Sequence, residues 1–311
     1  MAFGCGIRLP AFGQGKYNSD RYLRGNRGDC HVTSILSPSD QAPPAPEGEA
    51  PLEAALRFAQ GAGEILSSHY GRLRRGDADR KAGRRRDLVS IADHEAERYL
   101  FAHIPESDDV LAEEGSERKT GSRRNWVVDP LDGTVNFLHG IPFWCVSIAV
   151  IDDGELCAAV VHAPALGQTF TAERGQGCAL NGEPIEVSRT TDIGEAILAT
   201  GFAYNRNEVP DNNVDNWVTM VLQAAGLRRM GSAALDLAYT AAGNLDGYWE
   251  LHLSPWDVAA GTLLVREAGG EVSDFSGRED VASVLHSRHI VASNGSLHEQ
   301  IRARLSPLQG L

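Results

Sequence analysis

The stretch Trp126-Val127-Val128-Asp129-Pro130-Leu131-Asp132-Gly133-Thr134-Val135-Asn136-Phe137 begins as a strand and ends in a turn rich in oxygen donors. Trp126 to Val128 are bulky and apolar, the character of a buried strand. They lead straight into two carboxylates three residues apart, with Pro130 and Gly133 bending the backbone around them. A sharp turn of this kind brings Asp129 and Asp132 to one pocket. Hard divalent cations such as Mg²⁺ take oxygen ligands in near-octahedral geometry, so the two aspartates and a turn carbonyl such as that of Leu131 suit one as a cradle. The amides of Gly133 and Thr134 are placed to receive a phosphate oxygen. Asp-Pro and Asp-Gly pairs also form ordinary acidic turns, so the segment alone does not fix a function.

Outward from this segment, the 311-residue chain is 42% hydrophobic and 23% charged, enough for one substantial core or two sharing an interface. Its five cysteines (Cys5, Cys30, Cys145, Cys157, Cys178) form no CxxC pair and are too few for a disulfide scaffold, which points to a reducing cytoplasm. A formal charge of -13 argues against nucleic acid as the main partner. The runs Arg84 to Arg86 and Arg228-Arg229 are short enough to be solvated surface. No segment approaches the ~20 apolar residues of a membrane helix, and no apolar signal-peptide stretch opens the chain. A membrane partner is therefore not expected.

Residues 1–50 lack helical or strand periodicity and end near Pro43, Pro44 and Pro46, the pattern of a flexible N-terminal extension. Order is expected from Pro51, where Leu52, Ala55, Leu56, Ala59, Gly63 and Leu66 make a helical stripe. A second helix is expected over Ala92, Ala96, Tyr99, Leu100 and His103, stopped by Pro105. Strands follow at Trp126 to Val128, Val146 to Ile151, Leu156 to His162 and Gln168 to Ala172, with turns at Asp152-Asp153-Gly154 and Asn181-Gly182, a meandering antiparallel sheet. After Thr200 one helical stripe runs through Leu235, Ala238, Tyr239 and Ala242, and another starts with Ala260, Leu263, Leu264 and Glu267. Helices, then a sheet, then helices alternating with short strands predict a layered mixed α/β (α+β) fold and not a doubly wound parallel one.

The nonapeptide Asp129 to Phe137 resembles the first signature of the inositol monophosphatase family, and Trp256-Asp257-Val258-Ala259-Ala260-Gly261 resembles its second. The likeness extends from about residue 52 to about residue 300. It implies a layered αβαβα sugar-phosphatase fold with a largely antiparallel sheet and a second, smaller one. It implies a catalytic domain over 51–305, with an α+β part over about 51–190 and an α/β part over about 191–305. The activity implied is hydrolysis of a phosphate monoester of a small polyol, inositol 1-phosphate above all, by a metal-activated water with two or three Mg²⁺ ions per site. Metal ligands would be Glu113, Asp129, the Leu131 carbonyl, Asp132 and Asp257. Four converging carboxylates are intolerable in a protein interior unless cations neutralise them. Thr134 would orient the attacking water and Asp93 would accept a hydrogen bond from that threonine, with Glu113 completing the catalytic set.

Substrate would meet Asp132, Gly133, Thr134, Gly231, Ser232, Ala233, Glu250 and Asp257, Glu250 taking a ring hydroxyl. The residues by themselves leave other roles open. Asp257 is a good helix cap, Gly231 to Ala234 suit close helix packing, and Glu250 suits a surface ion pair. The chain departs from family members that carry histidine where Ser254 stands, and it has His252 in place of the commoner glycine. The resemblance further implies a homodimer. It leaves room for histidinol phosphate, fructose 1,6-bisphosphate, NADP or adenosine bisphosphate as substrate, and for a binding role in a transcription or RNA-processing complex.

Overall fold

A computed structural model describes residues 49–80 and 88–305. The expected extension lies outside these residues apart from Glu49 and Ala50, as do Arg84 to Arg86, Cys5 and Cys30. Among the described residues there are eight helices: α1 (Pro51–His69), α2 (Ile91–His103), α3 (Thr134–His139), α4 (Val214–Val221), α5 (Ala233–Ala241), α6 (Pro255–Glu267), α7 (Val281–His286) and α8 (His298–Arg302). The strands are β1 (Asp79–Arg80), β2 (Leu88–Val89), β3 (Asp109–Ala112), β4 (Glu117–Arg118), β5 (Arg124–Asp132), β6 (Cys145–Asp152), β7 (Glu155–Ala163), β8 (Gln168–Glu173), β9 (Gly177–Leu180), β10 (Glu183–Pro184), β11 (Ile197–Thr200), β12 (Gly226–Arg228), β13 (Gly247–Leu251), β14 (Glu271–Ser273) and β15 (His289–Ser293).

β1 and β2 form a small antiparallel ribbon. The larger sheet has the order β10-β9-β8-β7-β6-β5-β3-β4, and β5 to β10 form the expected antiparallel meander. β3 joins this sheet parallel to β5, a pairing the meander pattern did not anticipate. The smaller sheet has the order β12-β11-β13-β15-β14, with β11 parallel to both β12 and β13 and the remaining pairs antiparallel.

Alternation along the central strands sorts the core into layers. Trp126, Val128, Val146, Ile148, Val150 and Val160 pack with α1 and α2 on one face of the larger sheet. Val127, Ala149, Ala159 and Val161 pack on the other face with α5 and α6, which also cover the smaller sheet through Tyr248, Ile290 and Ala292. The far face of the smaller sheet buries Leu198, Trp249 and Val291 against Met220 of α4 and Ile301 of α8. The result is the αβαβα stack.

α1 begins with Pro51 at its first turn, where the missing N–H is no loss, and buries Ala55, Phe58, Ala59, Ala62 and Leu66. The buried stripe is rotated slightly from the expected one: Phe58 and Ala62 are inside, while Leu52 and Leu56 are only partly covered. α6 starts five residues earlier than its apolar stripe announces, at Pro255, because Ser254 caps it. α5 and α6 approach closely at Gly261, where a Cβ would stand 2.4 Å from the Leu237 Cβ. Gly261→Val should therefore force the middle helices apart and lower stability by about 1–3 kcal/mol, read as a drop in Tm. An unchanged Tm would mean that this layer is not close-packed.

Candidate active site

The site is built at the C-terminal end of β5. A strand alternates faces with period two, so carboxylates three residues apart should point to opposite sides of the sheet. The pairing of β5 with β6 resolves this: Asp129 stands opposite Ser147 and Asp132 opposite Cys145, so three steps on β5 match two on β6. This β-bulge reverses the alternation. Val127 faces the α5/α6 layer before it, whereas Leu131 faces the α1/α2 layer after it, and both aspartates consequently point toward α5 and α6. The expected sharp turn after Val128 is thus a bulge inside a strand that continues to Asp132.

β3 brings in the next carboxylate. Its parallel register sets Ala112 beside Val128, and the Glu113 amide donates to the Val128 carbonyl at 3.2 Å. The loop that follows is gripped by Glu97 of α2, whose carboxylate accepts from the amides of Glu114 (2.7 Å) and Ser116 (3.0 Å). Asp257 arrives from the first turn of α6. The sequence allowed it to be a cap, and in part it is one: Ser254 holds the N-cap position and its amide donates to Asp257 Oδ2 at 2.6 Å. The same device fixes Asp93 on α2, where the Ser90 amide and hydroxyl donate to Asp93 Oδ2 at 2.9 and 2.5 Å. In each case the reach back to the cap amide holds the carboxylate in one orientation.

The four carboxylates of Glu113, Asp129, Asp132 and Asp257 all lie within electrostatic range of one another. Burial, then the charges of Glu113, Asp132 and Asp257, hold the Asp129 carboxyl well above the usual carboxylate range. Burial with Glu113 and Asp132 does the same to Asp257. Burial pushes Asp132 up to about 6 against the pull of hydrogen bonds from the Ser232 hydroxyl and the Ala234 amide, both 2.7 Å from its Oδ2. Among the described residues no group of three or more acidic, histidine or cysteine side chains is closed into a ready metal-binding geometry. The donor set, four carboxylates and the Leu131 carbonyl, nevertheless fits a hard divalent cation by its chemistry.

Gly133, with φ of 95°, turns the chain from β5 into α3, and a Cβ there would lie 2.9 Å from the Phe143 carbonyl. Thr134 follows at the first position of α3. Its hydroxyl donates to Asp93 Oδ1 at 3.1 Å and also stands 3.1 Å from the Leu131 carbonyl. Burial raises Asp93 to about 6, partly offset by the Ser90 hydrogen bonds.

A cavity of about 380 Å³ opens over this floor, lined by Glu113, Asp132, Gly231, Ser232, Ala233, Glu250 and Asp257 among others. Asp93, Asp129, Leu131, Gly133 and Thr134 are buried and do not line it. Glu250 is no surface ion pair: it faces the cavity from β13, accepts from the Tyr248 hydroxyl, and is pushed by burial up to about 7. Two amides at the α5 N-terminus are already bonded, that of Ala234 by Asp132 and that of Leu235 by Ser232. His252 lines the cavity at φ of 64°, the left-handed region that explains the commoner glycine there. Arg229, exposed as the reading of Arg228-Arg229 as solvated surface expected, also lines the cavity, as do Asp236 and Arg288, which were missed because isolated charged residues carry no periodic signal. The spacing Ser-x-x-Asp at Ser90/Asp93 and Ser254/Asp257 would have located both helix starts.

Fold and site together define a phosphatase with a carboxylate-lined pocket between two sheets. Residues 49–309 match the model of the inositol monophosphatase family. The chain belongs to that family. It is 42% identical over 266 residues to a Pseudomonas aeruginosa protein named Nus factor SuhB, covering 82% of this chain and 96% of the relative. It is 39% identical over 247 residues to the inositol-1-monophosphatase of Mesorhizobium japonicum, covering 78% and 91%. The solved inositol monophosphatase of Anabaena (Nostoc) superposes with a TM-score of 0.72 at 35% identity, covering 83% of this chain and 96% of that one. Among the described residues no helix is long and apolar enough to cross a membrane.

Asp132, raised to about 6, holds its proton in the folded state over a range where the unfolded chain has lost its own. The stability this contributes is complete below about pH 4 and is lost as pH rises through 6. A bound cation needs the deprotonated form, so millimolar Mg²⁺ should raise Tm at pH 7.5 and do so much less at pH 5. Equal shifts at both pH values in a thermal melt would contradict a carboxylate cation site.

Proposed function

We propose that this chain is a magnesium-dependent phosphatase of small phosphorylated polyols, with inositol 1-phosphate as its foremost substrate. The observation that carries the reading is the buried contact from the Thr134 hydroxyl to Asp93 beside the four carboxylates. Glu113, Asp129, the Leu131 carbonyl, Asp132 and Asp257 would hold the Mg²⁺ ions, whose chemistry is to neutralise phosphate charge and favour ionisation of water. Because Asp93 accepts the Thr134 proton, the threonine oxygen keeps its lone pairs for a proton of the attacking water. That proton passes to Thr134 as the threonine's own moves to Asp93, the water oxygen bonds phosphorus, and the bond from phosphorus to the alcohol oxygen breaks on the opposite side; the departing alkoxide takes a proton from solvent water, and Asp93 returns its proton to solvent. Released alcohol and phosphate are the products, with no covalent enzyme intermediate. Glu250 faces the space where the alcohol would lie and is suited to a hydroxyl.

Thr134→Ala and Asp93→Asn should each lower kcat by about 10²–10⁴-fold with little change in KM, measured as phosphate release from inositol 1-phosphate with Mg²⁺. Activity of the intact chain should fall as Asp93 takes up its proton near pH 6. A panel adding histidinol phosphate, fructose 1,6-bisphosphate, NADP and adenosine bisphosphate ranks the alternatives by kcat/KM, and metal-independent or absent release from every member would reject the reading.

The Pseudomonas relative's name supports a second reading, service as a Nus factor. Asp257→Asn separates the two in cells: a phenotype that survives loss of phosphatase activity favours the factor role, and loss of both together favours catalysis. A cytoplasmic homodimer is part of the proposal, and sedimentation of the purified chain tests the subunit number.

A further inference from the structure

α5 carries an acid that the phosphate chemistry leaves unused. Asp236 lies one helical turn beyond Ser232 and so on the same face of the helix. It is 1% exposed yet lines the cavity. An acid in a first turn ordinarily caps the helix or reaches water. Here the Ala234 and Leu235 amides are already bonded by Asp132 and Ser232, and Asp236 Oδ1 is buried with no hydrogen-bond partner among the described residues. A buried carboxyl oxygen left unbonded is costly, and one that borders an open cavity is within reach of a ligand that supplies the missing bond.

The neighbouring acid is held quite differently. Glu250 accepts from the Tyr248 hydroxyl and rests on Gly201, where a Cβ would stand 1.9 Å from its Oε2. Glu250 is locked in place from behind, whereas Asp236 lacks such support. Arg229 lies close enough to influence the Asp236 charge, but no ion pair within 4.0 Å joins the two among the described residues.

We propose that Asp236 is a specificity-determining residue of this pocket, its carboxyl group bonding a second hydroxyl of the polyol phosphate beside the one that Glu250 takes. The inference rests on the phosphatase reading above. A hydroxyl is the fitting ligand because it both donates and accepts. Burial, reinforced by Glu250 and Asp132, holds the Asp236 carboxyl well above the usual range and so favours its protonated form, which likewise does both. A substrate with adjacent hydroxyls satisfies both acids at once, and a flat or apolar alcohol leaves Asp236 unbonded.

The test measures kcat and KM with Mg²⁺ on inositol 1-phosphate, the set of its monodeoxy analogues, and 4-nitrophenyl phosphate, which has no ring hydroxyl. Asp236→Ala should lower kcat/KM on inositol 1-phosphate by about 10–100-fold while 4-nitrophenyl phosphate stays within about threefold. Asp236→Asn, which keeps a donor and an acceptor, should recover most of the loss. One deoxy analogue, poor for the intact chain, should lose nothing further in Asp236→Ala, because the bond it lacks is the one removed. Equal losses on every substrate, or none on any, overturn the inference while leaving the phosphatase reading intact. An intact chain that releases phosphate from no substrate overturns that reading and this inference with it.

Discussion

Four carboxylates are gathered at one end of a buried strand, and their mutual repulsion is the constraint around which the neighbouring structure is arranged. Asp129 is 1% exposed, and Asp132, Glu113 and Asp257 stand around it. Such a group would relax by swinging its members into water if their backbones allowed it. They do not. A β-bulge fixes two of them on the same side of the sheet, a parallel neighbour fixes the third, and a helix cap fixes the fourth. Helices α2, α3, α5 and α6 all begin here, contributing Asp93, Thr134, Ser232 and Asp257 from their first turns or caps. Their positive ends face the negative group and lessen the cost of holding it together.

The same contacts bind the layers to one another. Asp132 belongs to the larger sheet, yet its carboxylate accepts from Ser232 and Ala234 at the head of α5, about a hundred residues further along the chain. α2 presents Asp93 to Thr134 and, one turn later, Glu97 to the loop behind Glu113. The helix that covers the outer face of the sheet therefore also positions two parts of the inner site. Folding cooperativity and site geometry share these hydrogen bonds, so loosening one should be felt in the other.

Much of this architecture is visible in the sequence because periodicity reports burial. α1, α2 and the meander from β5 to β8 follow from apolar spacing, and the mixed class follows from their order. Asp129, Asp132, Thr134 and Asp257 stood out through two short signatures, and the structure brings them together with Glu113 and Asp93. What spacing concealed was phase. A period-two rule puts Asp129 and Asp132 on opposite faces, and only the extra residue opposite β6 reverses that, a feature of pairing between strands. β3 was hidden because Asp109 to Ala112 is only four residues long, too short for alternation to stand out. Asp236 and Arg288 were hidden because a single charged residue looks the same whether it lines a cavity or faces solvent.

The cavity has two walls of separate origin. Glu113 and Asp132 are presented by strands of the eight-stranded sheet, whereas Glu250 comes from the five-stranded sheet and Ser232 and Asp236 from the helix lying between. Substitutions along β13 and α5 can reshape one wall while the bulged strand opposite keeps its register. A scaffold divided in this way gives descendants latitude to vary the wall from the smaller sheet while inheriting the bulged strand unaltered.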